Sequence, residues 1–222
     1  MLKCGEIMIK VSYVDHMGSD LTIVNAARVS FNKTSDILEE KDCKLIEYLA
    51  DHEHLSPFEH CSLTFLVEVP LYIRSQIHRH RTFAYNEVSR RYTSEDMSFY
   101  VPTIDDVRKQ SKFNRQASNG QLEDTEAQQV IQKMNEAHLS MLALYEELLA
   151  NGVCREQARG ILPQNLMTKF YMTGNLRNIV HFLKLRSHEG AQKEVRDVAT
   201  QMKVIVEQYF PVGFNALIAE DL

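Results

Sequence analysis

A chain of 222 residues with 44% apolar and 25% charged residues has the size and make-up of a folded globular protein with one sizeable core. Its formal net charge of −5 argues against general binding to nucleic acid, where affinity comes mainly from phosphate neutralisation. No run reaches the roughly 20 apolar residues of a membrane helix, and the stretch MLKCGEIMIKVSYVD lacks the apolar centre of a signal peptide. Cys4, Cys43, Cys61 and Cys154 stand apart without CxxC spacing, which suggests reduced thiols and a cytoplasmic protein.

The first element expected is a strand in EIMIKVSYVD, where Ile7, Ile9 and Val11 alternate with Met8, Lys10 and Ser12. SDLTIVNAARVS reads as a helix capped by Ser19 or Asp20, and a second helix is expected from Ser35 to about His52. LSPFEH reads as a turn or the start of a short helix, and CSLTFLVEVP has the alternation and β-branching of a strand stopped by Pro70. Pro70 also suits the start of a helix running from Leu71 to about Arg81.

Residues 82–101 show no period and read as an irregular functional loop, and 103–124 as a polar surface excursion. A long helix is expected over Thr125–Asn151, stopped by Gly152, then a short one over Arg155–Ile161. NLMTKFYMTGN reads as a strand through Tyr171, followed by helices over Leu176–Ser187 and Ala191–Gln208. No βαβ series and no internal repeat is visible. The expected fold is α+β: a helix-rich single domain over 1–222 with a small, mainly antiparallel sheet.

Charge is distributed unevenly. Residues 74–91 hold five arginines (Arg74, Arg79, Arg81, Arg90, Arg91) against one acid, Glu87, a local +4 on an acidic chain. The macrodipole favours cations at a helix C-terminus, but that does not account for Arg90 and Arg91 in the following loop. Guanidinium groups converging from a helix end and a loop suit a small phosphate or carboxylate ligand. His78 and His80, two residues apart, point to different sides of a helix and make poor co-ligands, so no metal is expected.

A second feature lies in GNLRNIVHFLKLRSHEG. Leu176, Ile179, Val180 and Leu183 form an apolar helical stripe, and Arg186, seven residues after Ile179, falls near the same face. A cation there needs a polar or anionic partner, either an internal ion pair or a ligand. Arg177, His181 and Lys184 line the opposite side. Arg155 and Arg159, one turn apart, read as an ordinary charged helix. GxGxxG, P-loop and GxSxG patterns are absent.

RHRTFAYNEVSRR, residues 79–91, resembles the signature R-H-R-x-x-S-x-N-E-x-S-x-R of the flavin-dependent thymidylate synthases. Arg79, His80, Arg81, Asn86, Glu87, Ser89 and Arg91 match it, while Ala84 replaces its first serine. AARVS (26–30), HLSPFEH (54–60), ARGILP (158–163) and TGNLRNIVHFLKLR (173–186) resemble further family segments in the same order.

The resemblance implies a homotetramer that binds FAD and converts dUMP to dTMP, with methylenetetrahydrofolate as carbon donor and NADPH as reductant. It implies FAD contacts from Ser30, Ser56, Arg79, His80, Arg81, Glu87, Asn175, Arg177 and His181. It implies dUMP contacts from Gln76, Arg79, Glu87, Val88, Ser89, Arg90, Arg91, Arg159 and Arg186, with Arg186 catalytic at the uracil ring. Reduced flavin would supply the hydride. An arginine there could stabilise an enolate-like ring without losing its own proton. No cysteine lies near the signature, so thiolate attack on the ring is not suggested. The alternative is a flavin- and nucleotide-binding module of the same fold that has lost its chemistry.

Overall fold

A computed structural model describes residues 8–114 and 117–219. The first strand, β1 (Lys10–Met17), is followed by α1 (Asp20–Arg28), α2 (Glu40–Asp51) and a 3-10 turn over Ser56–His60. Next come β2 (Ser62–Pro70), α3 (Leu71–Ile77) and β3 (Ala84–Glu87). The middle of the chain carries the short strands β4 (Arg108–Gln110) and β5 (Ser118–Gln121), then α4 (Asp124–Ala150) and α5 (Arg155–Ala158). The last part is β6 (Met167–Asn175), α6 (Leu176–Ser187), α7 (Lys193–Tyr209) and α8 (Pro211–Ile218).

The result is helix-rich with a small antiparallel sheet, the α+β class expected. Four strands are ordered β1-β2-β6-β3, and β4 pairs with β5 in a separate ladder, Arg108 opposite Gln121. No described helix is long and apolar enough to cross a membrane.

The chain forms two compact units. One comprises residues 10–67, 76–86 and 170–222. Its core is built from the inward faces of strands and helices: Leu63, Phe65, Phe170 and Met172 are buried, as are Ile23, Ile46, Leu176 and Ile179. The other comprises residues 1–9, 68–75 and 87–169, with Phe99, Tyr145, Ala158, Leu162 and Leu166 as a buried cluster.

Several boundaries differ from expectation, for identifiable reasons. The second helix begins at Glu40 rather than Ser35. Ser35 is held outside it by Asn25, which accepts from the Ser35 N–H at 2.7 Å and donates to its carbonyl at 3.0 Å. Asp42 then accepts from the Glu39 N–H at 2.9 Å, closing the first turn. The helix after Pro70 ends at Ile77, four residues early. The Tyr85 hydroxyl lies 3.0 Å from the Ile77 carbonyl and 2.9 Å from that of His80, so a side chain serves helix-end acceptors.

Within 82–101, read as irregular, lies β3. The strand expected to end at Tyr171 continues to Asn175, with Thr173 and Thr64 hydroxyls 2.9 Å apart. The short helix over 155–161 is an α-turn followed by a 3-10 turn over Arg159–Ile161. The last expected helix starts at Lys193 rather than Ala191, and α8 lies beyond any element expected from the sequence. Of the opening strand, Ile7 lies outside the described residues.

The α8 helix is fixed at its first turn. Asp20, buried at the start of α1, accepts from the Val212 and Gly213 N–H groups at 3.0 and 2.8 Å. A carboxylate on helix N-terminal donors that have no partner within the helix is the pairing that the helix dipole favours. Burial nevertheless pushes the Asp20 pKa up, against the opposing pull of those two bonds.

Candidate active site

In the first unit the apolar stripe of α6 packs as its spacing requires: Leu176, Ile179, Val180 and Leu183 are all buried. Asn175 caps the helix by accepting from the Asn178 N–H at 2.9 Å, so one residue implied for flavin fixes the start of the helix that carries two others. Those two, Arg177 and His181, are exposed, and Arg177 pairs with Glu59 at 2.5 Å. Arg186 is half-buried at the other end of the helix.

Its partner is His80. Arg186 Nε–H donates to His80 Nε2 at 2.9 Å. The imidazole edge also meets the ring of Phe182, with centroids 4.7 Å apart. Burial, then the Arg186 charge, then His181 push the His80 pKa down to about 4. The ring is therefore neutral at ordinary pH, with its proton on Nδ1 and Nε2 free to accept. A carboxylate partner would have tied Arg186 into a closed ion pair. The neutral imidazole leaves its positive charge uncompensated by that contact.

Arg79 and Arg81, flanking His80, are exposed. Gln76 donates to the Gln192 side chain at 2.5 Å. Phe83 anchors the segment: it is buried against Phe182 and lies over Gly174, where a Cβ would collide with its ring.

The same unit holds a cleft of about 820 Å³ between α1, α2 and the 3-10 turn. Ser30, Ser56 and Arg177, separated by up to 147 positions in sequence, meet in its wall with the rings of Phe31 and Tyr48. Arg28 in the same wall pairs with the buried Asp42 at 2.5 Å and donates to Ser35. Neither Phe31 nor Tyr48 is singled out by sequence. Both are more than half exposed, though one face of Tyr48 is stacked on His52 with ring centroids 4.0 Å apart. Cys61, in the buried core of this unit, has its thiol pushed up to about 12 by burial and by Asp20, so it remains protonated.

The second unit contains the rest of the signature. Glu87 accepts from Thr168 Oγ1 at 2.7 Å and faces Arg74 Nε at 3.2 Å, so the one acid of the basic stretch is held between two elements. The Val88 N–H is spent on the Lys169 carbonyl at 3.0 Å. Ser89 accepts from the Arg91 N–H at 3.3 Å, and Arg91 faces Glu156 at 3.4 Å. Arg159 is exposed at the end of α5. Arg90 is half-buried and turned onto main-chain carbonyls. Arg155, read as a plain surface residue, donates from Nε to Ser94 Oγ at 3.1 Å and so belongs to this loop. Its four-residue spacing to Arg159 is the only hint in the sequence.

The chain is similar to proteins of known class. Residues 12–212 match the family described as thymidylate synthase complementing protein. A flavin-dependent thymidylate synthase of Thermus thermophilus is 43% identical over 206 residues, 93% of this chain and 74% of the relative. That of Thermotoga neapolitana is 41% identical over 209 residues, 94% of this chain and 90% of the relative. Among solved structures, a UMP/dUMP methylase from Streptomyces cacaoi bound with 5-Br dUMP superposes with a TM-score of 0.86 at 36% identity, covering 95% of each chain. The signature, the segments around it and the fold that carries them place this chain in the flavin-dependent thymidylate synthase family.

Proposed function

We propose that this protein methylates dUMP to dTMP, using methylenetetrahydrofolate as carbon donor, FAD as cofactor and NADPH as its reductant. The observation that carries the reading is Arg186, a half-buried guanidinium at the end of the α6 stripe, met by a neutral imidazole.

The wall of the cleft fits a flavin nucleotide. Ser30 and Ser56 offer hydroxyls, Arg177 a guanidinium for phosphate, Phe31 an exposed ring and Tyr48 the face that His52 does not cover. Asn175, His181, His80, Arg79, Arg81 and Glu87 complete the set assigned to the cofactor. When bound, reduced FAD supplies the hydride that turns a transferred methylene into a methyl group.

The chain's own part is binding and electrostatics. Arg186 is assigned to the uracil ring, where its permanent charge stabilises the enolate-like form that makes C5 nucleophilic. His80 fixes its orientation. Gln76, Arg79, Glu87, Val88, Ser89, Arg91, Arg159 and the main chain at Arg90 are assigned to dUMP, with guanidinium forks for its phosphate. The reading extends to one domain over 1–222, a homotetramer and a cytoplasmic location.

The test is release of label from C5 of dUMP with matching dTMP formation by the yellow, FAD-loaded protein, with UMP offered in parallel. Arg186→Ala should abolish release while leaving bound flavin in place. A protein that takes up no FAD and does not oxidise NADPH with dUMP present would overturn the reading. Light scattering at four times the chain mass tests the tetramer.

A further inference from the structure

Position 90 sits between Ser89 and Arg91, two fixed letters of the signature, but is itself a letter that the signature leaves open. Here it is an arginine whose guanidinium faces inward. Nη1 donates to the Glu95 carbonyl at 2.6 Å, and Nη2 lies 3.4 Å from the Asp96 carbonyl. Nε is buried and has no hydrogen-bond partner. A side chain meant for a phosphate would not surrender both ends of its fork to the main chain.

Those carbonyls belong to a turn that needs support. Asp96 adopts φ +50°, a left-handed conformation rare outside glycine. Ser89 O accepts from both Tyr92 N at 3.0 Å and Thr93 N at 3.2 Å, and Glu95 N donates to Thr93 Oγ1 at 3.1 Å. On its far side Ser94 Oγ lies 3.1 Å from the hydroxyl of the buried Tyr145 and accepts from Arg155. These polar spokes of the turn all end on the protein, and Arg90 is the one that closes the 90–96 ring across its middle.

We propose that Arg90 is a positioning residue: a strut that holds the 89–96 turn in shape before any ligand arrives, so that Ser89 and Arg91 are presented ready to bind an anion. This rests on the nucleotide reading above for the identity of that anion, dUMP, but not for the strut itself. A preformed loop binds without the cost of ordering it. Burial pulls the Arg90 pKa down, while Tyr145 and Asp96 act to raise it, consistent with a cation held in place by its surroundings.

The test compares the FAD-loaded wild type with Arg90→Lys and Arg90→Gln. Lys keeps the charge and the stem but reaches one carbonyl, not two. Hydrogen exchange at the amides of residues 92–96, without nucleotide, should be at least about tenfold faster in both variants. KM for dUMP should rise about tenfold or more in both, with kcat held within about twofold and flavin content unchanged. Exchange unchanged in both variants would overturn the strut, and a KM restored by Lys would overturn it by making Arg90 a direct anion ligand. If the wild type does not turn over dUMP, the nucleotide reading fails on its own, and the exchange measurement still decides the strut.

Discussion

Replacing His80 by Phe tests the centre of the proposed chemistry. Phe keeps the ring volume packed on Phe182 but removes the Nε2 acceptor that meets Arg186 at 2.9 Å. A hydrogen bond to a charged group contributes about 1.5–3 kcal/mol, which corresponds to roughly 10- to 150-fold in rate if Arg186 loses its orientation. Single-turnover release of C5 label, with flavin content read separately by absorbance, should fall by that factor. His80→Gln, which restores an acceptor, should recover part of it.

The same variant makes a prediction about pH. The folded-state pKa of His80 lies at about 4, below the ordinary 6.5. A depressed histidine contributes stability fully above the unfolded pKa and loses it as pH falls from 6.5 toward 4, because the unfolded chain takes up the proton first. The whole shift would correspond to about 3.4 kcal/mol, but the ring is partly open to solvent and screening reduces this to about 1 kcal/mol. Besides Phe182, the groups facing it are Arg186, His181 and the Tyr85 hydroxyl at its carbonyl. Measured by denaturant melts, the wild type should therefore lose about 0.5 kcal/mol relative to His80→Phe between pH 7 and pH 5, and the rest as pH falls to 4. A gap independent of pH, together with unchanged label release, would refute the assignment of His80 as a neutral acceptor for Arg186.

Gly174→Ala would place its Cβ 2.5 Å from Phe83 Cδ1, inside van der Waals contact. A loss of about 1–3 kcal/mol in denaturant melts is expected, with weaker FAD binding because Phe83 follows the Arg79–Arg81 segment; unchanged stability would show that the ring yields freely. Asp20→Ala removes the acceptor for two N–H groups of α8 and should cost about 2 kcal/mol, a fall in Tm of roughly 4–8 °C. Ala84→Ser, restoring the usual letter of the signature, should change turnover by less than about twofold, since Ala84 is exposed at the start of β3; a large rescue from near-zero activity would show that the alanine is disabling.

What was legible in the sequence was what local spacing determines. The α6 stripe is read from four residues on one face, and its limits match the expectation because Asn175 caps it from within the same segment. The signature residues were found because they are contiguous. What distant residues determine stayed hidden. Helix α3 stops early where a tyrosine hydroxyl from the next strand reaches its last carbonyl, at Ile77, and that of His80 beyond it. Helix α8, PVGFNALI, has almost no polar face; Gly213, Phe214, Ala216 and Leu217 are all buried, and its cap comes from Asp20, 192 positions before Val212. Sequence showed that Arg186 needed a partner, but not that the partner was a histidine 106 positions away. The cleft joins Ser30 and Ser56 to Arg177, and its aromatic wall carries no periodic signal because Phe31 and Tyr48 are exposed rather than packed.

The contact between Asp20 and α8 also sets a timetable for synthesis. Asp20 finds its two partners only after Gly213 has followed it out of the ribosome. At roughly 5–20 residues per second the wait is about 10–40 s. The unit that contains them is assembled from residues 10–67, 76–86 and 170–222, so no nascent chain lacking the last segment can complete it. A truncated message would therefore yield a product with a buried carboxylate left unmatched.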